Sequence, residues 1–381
     1  MKLAMPLKLF FIICGFIFII NLNACIDEET TAENQLQNID LWVTKAPMPV
    51  AFKSEIALGY ELHLGDYEQL GYSISKVEII DNDSTGTILK TYEGDELSNS
   101  LQAYNKEKPS QGAVIFVWPT FETSADVPLT LYHKVYFDNE GATITKEGAQ
   151  TTVDTTETAL ISPPVTGDRW WAANGPSNFD LHHRRAIIDF QDVPYISQRF
   201  GVDLLQFDED GYIYQNDGTA NEDYYSYGAP LLAVADGTVI NIKDDFPEQL
   251  PNQDMPYPLT VENVAGNFII LDLGNDRFAF YAHIIPETIQ VSIGDTVSTG
   301  DVLAYLGNSG NSTAPHLHFQ ISDSSSFLIS EGLPYVFDSY EYVGTLDNFE
   351  EIFETGGPLE MSGNSETVSN KFYNLNEIMN Y

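Results

Sequence analysis

The sequence predicts an all-β protein, and three observations support this prediction. Apolar and polar residues alternate with a period of two in several segments, as where Leu131, His133 and Val135 alternate with polar neighbours. Turn-forming groups such as Asn-Asp-Ser-Thr-Gly at residues 82–86 separate these segments. The length of 381 residues is sufficient for two domains that each bury a core. We therefore expect two consecutive β-domains.

Composition excludes one class of partner. The chain has 56 acidic and 17 basic residues, a formal net charge of −39, and such a surface repels phosphate backbones. It also has 21 Tyr and 22 Phe, which is typical of a folded chain and not of a disordered one. We expect no nucleic-acid partner, and a neutral or cationic polymer fits the charge better.

The N-terminus has the features of a targeting segment. Lys2 and Lys8 precede an apolar run at residues 9–20, which is short for a membrane span and suits a signal-peptide core. The run is followed by Leu-Asn-Ala-Cys at residues 22–25, which resembles the lipobox of bacterial lipoproteins. The prediction is a signal peptide over residues 1–25, lipidation of Cys25 and a membrane anchor in the cell envelope. A plain secretory signal is the alternative.

Two regions follow before the chain's most distinctive motifs. Residues 26–39 are acidic and polar, as in a flexible tether. Residues 40–157 show strand alternation and turn spacing that predict an immunoglobulin-like β-sandwich. There His63 falls on a polar face and is expected in solvent, whereas His133 falls in an apolar series and is expected in the core. The Thr-rich residues 151–158 mark the domain boundary.

A motif near residue 317 indicates a metal-binding or catalytic site. A Gly/Asn/Ser turn leads into a segment in which His316, His318 and Gln320 alternate with Leu, Phe and Ile. Two imidazoles on one strand face lie roughly 6.6 Å apart, so one can hold a metal ion while the other reaches a substrate. The alternative is a strand with a solvated polar face.

Several ordered motifs in the second half of the chain form a recognisable series. They are Gly-Ala-Pro-Leu-Leu-Ala-Val-Ala-Asp-Gly-Thr-Val at 228–239, Gly-Asn-Phe-Ile-Ile-Leu-Asp at 266–272, Phe-Tyr-Ala-His-Ile at 280–284, Val-Ser-Ile-Gly-Asp-Thr-Val-Ser-Thr-Gly at 291–300, and the His-Leu-His strand. In this order they resemble the lysostaphin/LytM-type zinc endopeptidases, which cut peptide cross-bridges in bacterial cell walls, over roughly residues 195–322. The resemblance implies an antiparallel β-sheet domain with a metal-bearing groove. We place this domain at residues 160–345, with residues 346–381 as a C-terminal tail.

The resemblance also implies roles for individual residues. It makes His318 and Asp203 zinc ligands and places His283 and His316 at the scissile bond. A catalytic zinc ion takes three protein ligands and keeps one position for water, and a neighbouring imidazole can take a proton. Strand alternation predicts that Tyr281 lines the groove beside His283, and that Gln320 shares the face of His318.

One departure affects the metal site. The family's first ligand is the His of a His-x-Gly-x-Asp segment, and this chain has Arg199 in Arg-Phe-Gly-Val-Asp at 199–203. A guanidinium has no lone pair to give a metal ion, so Arg199 cannot be a ligand. It could instead place a fixed positive charge beside Asp203, where the metal ion would lie, if Gly201 lets the chain curl so that the two residues meet.

Two sources of a replacement ligand are open. His182 or His183 could complete the site, although with Arg184 and Arg185 they could equally form a basic patch. Alternatively, a carboxylate of the acidic loop, drawn from Asp208, Asp210 and Asp217, could contribute oxygen, although these residues also suit a hairpin turn.

Two functions therefore remain for the sequence. One is zinc-dependent hydrolysis of peptide bonds in peptidoglycan cross-links. The other is a catalytically inactive module that binds wall peptides in the same groove or regulates a partner wall hydrolase.

Overall fold

The computed structural model describes residues 38–83, 85–104, 112–178, 182–253, 255 and 257–381. The predicted signal peptide, Cys25 and all but the last two residues of the predicted tether lie outside these residues. In the part of the chain so described, no helix has the length and apolar character needed to cross a membrane.

Within the described residues, the N-terminal domain contains eleven strands and one short α-helix. They are β1 (Leu41–Trp42), β2 (Pro49–Ala51), β3 (Glu55–Leu58), β4 (Tyr60–Leu64), β5 (Ser73–Asp81), β6 (Ile88–Glu93), α1 (Gly94–Ser100), β7 (Leu101–Ala103), β8 (Ala113–Val117), β9 (Thr120–Glu122), β10 (Thr130–Asn139) and β11 (Ala142–Thr152). A short 3₁₀ helix, Glu68–Leu70, connects β4 to β5.

Two four-stranded sheets enclose the core of this domain. Their orders are β1-β4-β8-β7 and β11-β10-β5-β6, and one apolar cluster takes side chains from both sheets. The predicted β-sandwich is therefore confirmed. In β10 the alternation is as expected, because Leu131, His133 and Val135 are buried. His133 is satisfied in the core by the hydroxyl of Tyr60 and by the carbonyl of Ala149.

The expected solvent position of His63 is wrong. Its ring is buried and stacks between the rings of Trp42 and Tyr104, each from a neighbouring strand or loop. The polar face of β4 is covered by other parts of the chain, which alternation within one strand cannot reveal.

The second domain contains sixteen strands and one short helix among the described residues. They are β12 (Ala159–Ile161), β13 (Trp170–Ala173), β14 (Ile188–Phe190), β15 (Val193–Tyr195), β16 (Val202–Gln206), β17 (Pro230–Leu232), β18 (Gly237–Lys243), β19 (Asn267–Asp272), β20 (Phe278–Ile284), β21 (Thr296–Val297), β22 (Val302–Tyr305), β23 (Leu317–Ser322), β24 (Tyr335–Leu346), α2 (Phe349–Thr355), β25 (Met361–Ser362), β26 (Glu366–Lys371) and β27 (Glu377–Asn380). A 3₁₀ helix, Asn221–Asp223, lies between β16 and β17.

Most of these strands form one large, mainly antiparallel sheet. Its order is β12-β24-β27-β13-β16-β23-β20-β19-β18-β21, and β25 and β26 pair with β24. The all-β class and the antiparallel sheet predicted for this domain are therefore confirmed. Strands β16, β23 and β20 are neighbours near its centre, so residues far apart in the chain meet there.

The C-terminal residues are not a tail. Strand β27 lies between β24 and β13, and Ile378 and Met379 are fully buried in it. The interior position exists only because β13 and β24 leave room for a strand between them. The segment Glu-Ile-Met-Asn at residues 377–380 follows an Asn-rich stretch and has no local pattern that indicates this position.

Candidate metal centre

The His-Leu-His strand has the two faces that alternation predicts. Leu317, Phe319 and Ile321 are fully buried in the main core of the domain. The opposite face carries His318 and Gln320 toward a groove. In the sheet, His318 pairs with Asp203 of β16 on one side and with Ala282 of β20 on the other.

Asp203 is the centre of the polar cluster. Its Oδ1 lies 3.0 Å from His318 Nδ1, 3.3 Å from His183 Nε2 and 3.5 Å from His316 Nε2. Its Oδ2 accepts a hydrogen bond of 2.8 Å from Asn174 Nδ2. Three imidazole nitrogens and one carboxylate oxygen thus converge on a small volume.

The tautomer of His318 follows from its second partner. His318 Nε2 lies 3.0 Å from Gln320 Oε1, an oxygen that only accepts, so Nε2 carries the proton. Burial lowers the pKa of His318 below its ordinary value despite the neighbouring carboxylate, which favours the neutral ring. The Nδ1 lone pair of His318 then faces the Asp203 carboxylate, an arrangement that a cation between them stabilises.

Charges in the cluster shift its other pKa values. Burial alone would raise the pKa of Asp203, but the charges of His183 and His316 and their hydrogen bonds lower it well below the ordinary value. Burial would lower the pKa of His316, and the negative charge of Asp203 outweighs burial and raises it. The carboxylate is therefore ionised and attracts positive charge.

His283 reaches the groove through an irregularity in its strand. The pairing of β20 with β19 shifts register between Asn267 and Phe268, and His283 is the unpaired extra residue with φ of +66°. Its Nδ1 donates a 2.7 Å hydrogen bond to the carbonyl of Ser309. This leaves Nε2 as the nitrogen that can exchange a proton in the groove.

The same bulge overturns the predicted position of Tyr281. Its side chain is fully buried in the main core, and its hydroxyl accepts a hydrogen bond from the Val234 amide at 3.0 Å. Simple alternation would place Tyr281 and His283 on one face, but the extra residue reverses the face of His283. Gln320 faces the cluster but is fully buried, where it orients His318.

His316 and His283 form a second pair beside the first. Their ring centroids lie 4.7 Å apart. His316 Nδ1 donates to the carbonyl of Ala314 at 2.8 Å, so Nε2 is the nitrogen turned toward Asp203. The carbonyls of Ala314 and Ser309, both from the turn before β23, thus set the tautomers of the two histidines.

Arg199 is not placed as expected. Its guanidinium pairs with the carboxylates of Glu61, at 2.6 Å, and Glu331, and donates to the carbonyl of Gly332. These buried acceptors engage all three nitrogens of the guanidinium, so Arg199 does not serve Asp203 as a substitute charge. Glu61 belongs to the N-terminal domain, and no local sequence pattern indicates that it approaches residue 199.

His183 occupies the place that a missing ligand would need. His183 is buried, with 6% of its surface exposed, whereas His182 is exposed. The potential ligand atoms of His182, His183 and Asp203 all lie within 4.8 Å of one another, so the three residues could hold a metal ion. Gly201 makes room for His183, because a Cβ there would lie 3.3 Å from His183 Nδ1 and 3.2 Å from His318 Cε1.

The acidic loop forms turns instead of joining the cluster. Asp208 Oδ1 accepts hydrogen bonds from the amides of Asp210 and Tyr212. Asp217 Oδ1 accepts from the amide and hydroxyl of Thr219. This matches the hairpin-turn alternative, in which such carboxylates satisfy their own backbone.

The residues present fit a zinc ion. Zinc binds imidazole nitrogen and carboxylate oxygen at about 2.0–2.2 Å, and tetrahedral geometry then separates neighbouring ligand atoms by about 3.3 Å. His183 and His318 lie 3.3 and 3.0 Å from Asp203 Oδ1, and the three side chains line a cavity of about 160 Å³. Fold and site together define an all-β domain with a His/Asp centre of the kind found in zinc hydrolases.

Comparison with known proteins agrees with this class. Residues 223–328 match the model of Peptidase family M23, and the chain therefore carries a domain of that family. The matched range includes His283, His316 and His318, whereas Asp203 and His183 precede it.

Two relatives each align with about a quarter of the chain. An uncharacterized metalloprotease of Buchnera aphidicola is 33% identical over 94 residues, 25% of this chain and 20% of the relative. The peptidoglycan DD-endopeptidase ShyA of Vibrio cholerae is 30% identical over 94 residues, 25% of this chain and 17% of the relative. The aligned region thus spans a fifth or less of each relative.

Among solved structures, the catalytic domain of lysostaphin from Staphylococcus simulans is 21% identical, with a TM-score of 0.24. That alignment covers 43% of this chain and 88% of the lysostaphin domain.

Sequence reasoning missed Asn174 and Ser309. Asn174 reaches Asp203 because β13 pairs with β16, where Ala173 lies opposite Asp203. No local pattern announces this contact. Ser309 lies in the Gly/Asn/Ser turn that leads to the His-Leu-His strand, and the density of turn residues was its signal.

Proposed function

We propose that this protein is a zinc-dependent endopeptidase that hydrolyses peptide bonds in peptidoglycan cross-links. The observation that carries the proposal is the convergence of His183 Nε2 and His318 Nδ1 on Asp203 Oδ1 at 3.3 and 3.0 Å. His183, Asp203 and His318 would hold the metal ion, with His183 replacing the ligand lost at Arg199. When bound, zinc supplies a Lewis acid and an acidified water.

The other histidines supply proton transfer. His283 and His316 each commit Nδ1 to a backbone carbonyl, so each presents Nε2 for exchange. His316 Nε2 lies next to the ligand Asp203, and the His283 ring lies beside it in the groove. One imidazole can take a proton from the attacking water while the other donates to the developing oxyanion.

The substrate class rests on the relatives. ShyA is described as a peptidoglycan DD-endopeptidase, and the region that matches the M23 family model includes His283, His316 and His318. An anionic protein also suits a wall polymer better than a nucleic acid. We extend to this chain the substrate class of that relative, a peptide cross-link of the wall.

Zinc content is the first test. Protein purified without added metal should contain about one zinc ion per chain by mass spectrometry. His183→Ala should lose it, because removal of one of three ligands leaves an incomplete site. His182→Ala is the matched control, since its exposed ring neighbours the same cluster, and it should retain zinc.

Hydrolysis is the second test. The wild type should release new amino groups from purified cross-linked peptidoglycan fragments, and His183→Ala should not. Zinc retained by His183→Ala and lost by His182→Ala would assign the ligand to the other histidine. A wild type that binds wall peptides without zinc or turnover would support the inactive binding or regulatory module.

A further inference from the structure

We propose that the N-terminal β-sandwich completes the metal centre, with Arg184 and Glu61 as positioning residues for His183. This inference rests on the proposed function, because it assumes that His183 is a zinc ligand. The sandwich would therefore be part of the site and not a spacer.

Residues 182–185, the 182–185 turn, are attached to the N-terminal sandwich through Arg184. Arg184, which is 1% exposed, donates to Glu61 Oε1 at 2.7 Å and to the carbonyl of Tyr60 at 2.8 Å. Both acceptors lie in β4 of the sandwich. The guanidinium also lies over the rings of Phe116 and Trp118, at 5.2 and 5.3 Å from their centroids.

The second arginine of the turn makes a separate attachment. Arg185 Nη2 donates to the carbonyl of Asn99, in α1, at 2.7 Å. Gln102 of β7 donates from its side-chain amide to the carbonyl of Arg185 at 3.2 Å. The turn is thus held at both arginines by the N-terminal domain.

The side chains of Arg184 and His183 lie in different domains. Arg184 points into the sandwich, and the neighbouring His183 reaches Asp203 of the second domain. One peptide unit therefore joins a buried anchor in one domain to a proposed ligand in the other. The remaining proposed ligands, Asp203 and His318, lie on paired strands of one sheet and need no such support.

Glu61 connects this anchor to the variant position. Its Oε1 accepts from Arg184 and its Oε2 from Arg199, which also pairs with Glu331. The arginine that cannot bind metal thus helps to dock the domain that delivers the replacement histidine. The buried carboxylate of Glu61 thus contacts both the arginine at the variant ligand position and the arginine that anchors the turn carrying His183.

The test measures zinc affinity of the full chain by competition with a chromophoric chelator. Arg184→Lys keeps the charge but loses the fork, and it should weaken zinc binding by about 10- to 100-fold, as expected when a group that orients a ligand is changed. Leu131→Ala is the control. It removes a fully buried side chain of β10 from the core of the sandwich and should lower the melting temperature, while zinc affinity stays near that of the wild type.

A cycle with His183→Ala separates positioning from general stability. In that background Arg184→Lys should have no further effect on the remaining zinc affinity, although it still lowers the melting temperature. If Arg184→Lys does not fold, Arg185→Ala provides the test of the inference, because Arg185 is exposed and its substitution should not prevent folding. That variant should weaken zinc binding several-fold with little change in melting temperature.

Four results would overturn the inference. Equal loss of zinc affinity in Arg184→Lys and Leu131→Ala would show a nonspecific effect of a destabilised sandwich, and so would a loss that persists without His183. Unchanged zinc affinity in Arg184→Lys or Arg185→Ala, with zinc still dependent on His183, would overturn the inference and leave the proposed function standing. Absence of zinc binding by the wild type would overturn both.

Discussion

At the scale of single residues, the site depends on which nitrogen each histidine offers. His318 commits Nε2 to Gln320, whereas His283 and His316 commit Nδ1 to backbone carbonyls. His318 therefore turns Nδ1 toward Asp203, and the other two present Nε2. The groove thus holds two kinds of histidine, and the proposed function uses His318 as a metal ligand and the other two as proton carriers.

Substitution of the two histidines of the His-Leu-His strand should separate these roles. His318→Ala should lose bound zinc, because it removes one of three proposed ligands. His316→Ala should keep zinc and lose about 10²- to 10⁴-fold in turnover, the usual contribution of a positioned proton-transfer group. Zinc content and peptidoglycan hydrolysis of the two variants check this. Equal loss of metal from both would show the division of roles to be wrong.

At the scale of elements, the turn before β23 is held closely against β19 and β20. Ser309 Oγ accepts from the Asn267 amide and donates to the Ile284 carbonyl, at 2.9 and 2.8 Å. A Cβ on Gly266, whose φ is +61°, would lie 2.4 Å from the Ser309 carbonyl oxygen, and that oxygen accepts from His283. Gly266 thus permits the backbone approach that fixes the tautomer of His283.

Gly266→Ala should therefore reduce both stability and turnover. The left-handed conformation costs about 1–2 kcal/mol for a residue with a Cβ, and displacement of Ser309 should add roughly 1–3 kcal/mol. Gly274→Ala is the matched control, because Gly274 has φ of +78° and nothing within 4 Å of an added Cβ. Urea unfolding and turnover of both variants provide the measurement. Equal losses in the two variants would contradict the role assigned to the close approach.

At the scale of the whole molecule, a buried ion-pair network joins the two domains. Glu61, which is 2% exposed, lies between Arg184 and Arg199. Burial alone would raise the pKa of Glu61, but the two guanidinium groups lower it from 4.5 to about 2. Removal of one partner from such a network leaves an uncompensated buried charge.

This pKa predicts an acid-dependent contribution to stability. A depressed carboxyl pKa stabilises the folded state above pH 4.5, and the contribution is lost as pH falls toward 2; it amounts to roughly 3 kcal/mol. Glu61→Gln should therefore be less stable than the wild type at pH 6, and the difference should narrow toward pH 3. Urea unfolding at several pH values measures it. A difference that does not change with pH would contradict the prediction.

The location of the whole protein is a separate prediction. If Cys25 is lipidated, the wild type should fractionate with membranes, and Cys25→Ser should remain unprocessed or appear in the soluble fraction. Cys14→Ser is the control, since Cys14 lies within the segment expected to be removed. Fractionation and mass spectrometry of the mature N-terminus check this. A wild-type N-terminus at another residue, without lipid, would defeat it.

The sequence by itself determined the all-β class, the two faces of the His-Leu-His strand and the family of the second domain. Local sequence patterns are sufficient to predict these features, because residues two apart on a strand share a face wherever the strand lies. The same local patterns limited the candidates for the third proposed zinc ligand to His182, His183 and the carboxylates of the acidic loop.

Only the tertiary structure decided the rest. Glu61 and Arg184 are 123 residues apart, and Asp203 and His318 are 115 apart, yet each pair is in contact. The bulge that turns His283 into the groove, the strand that replaces the expected tail, and the partners of Arg199 likewise depend on how distant segments pack. Such contacts depend on the geometry between elements, and neither periodicity nor motif spacing within one segment contains it.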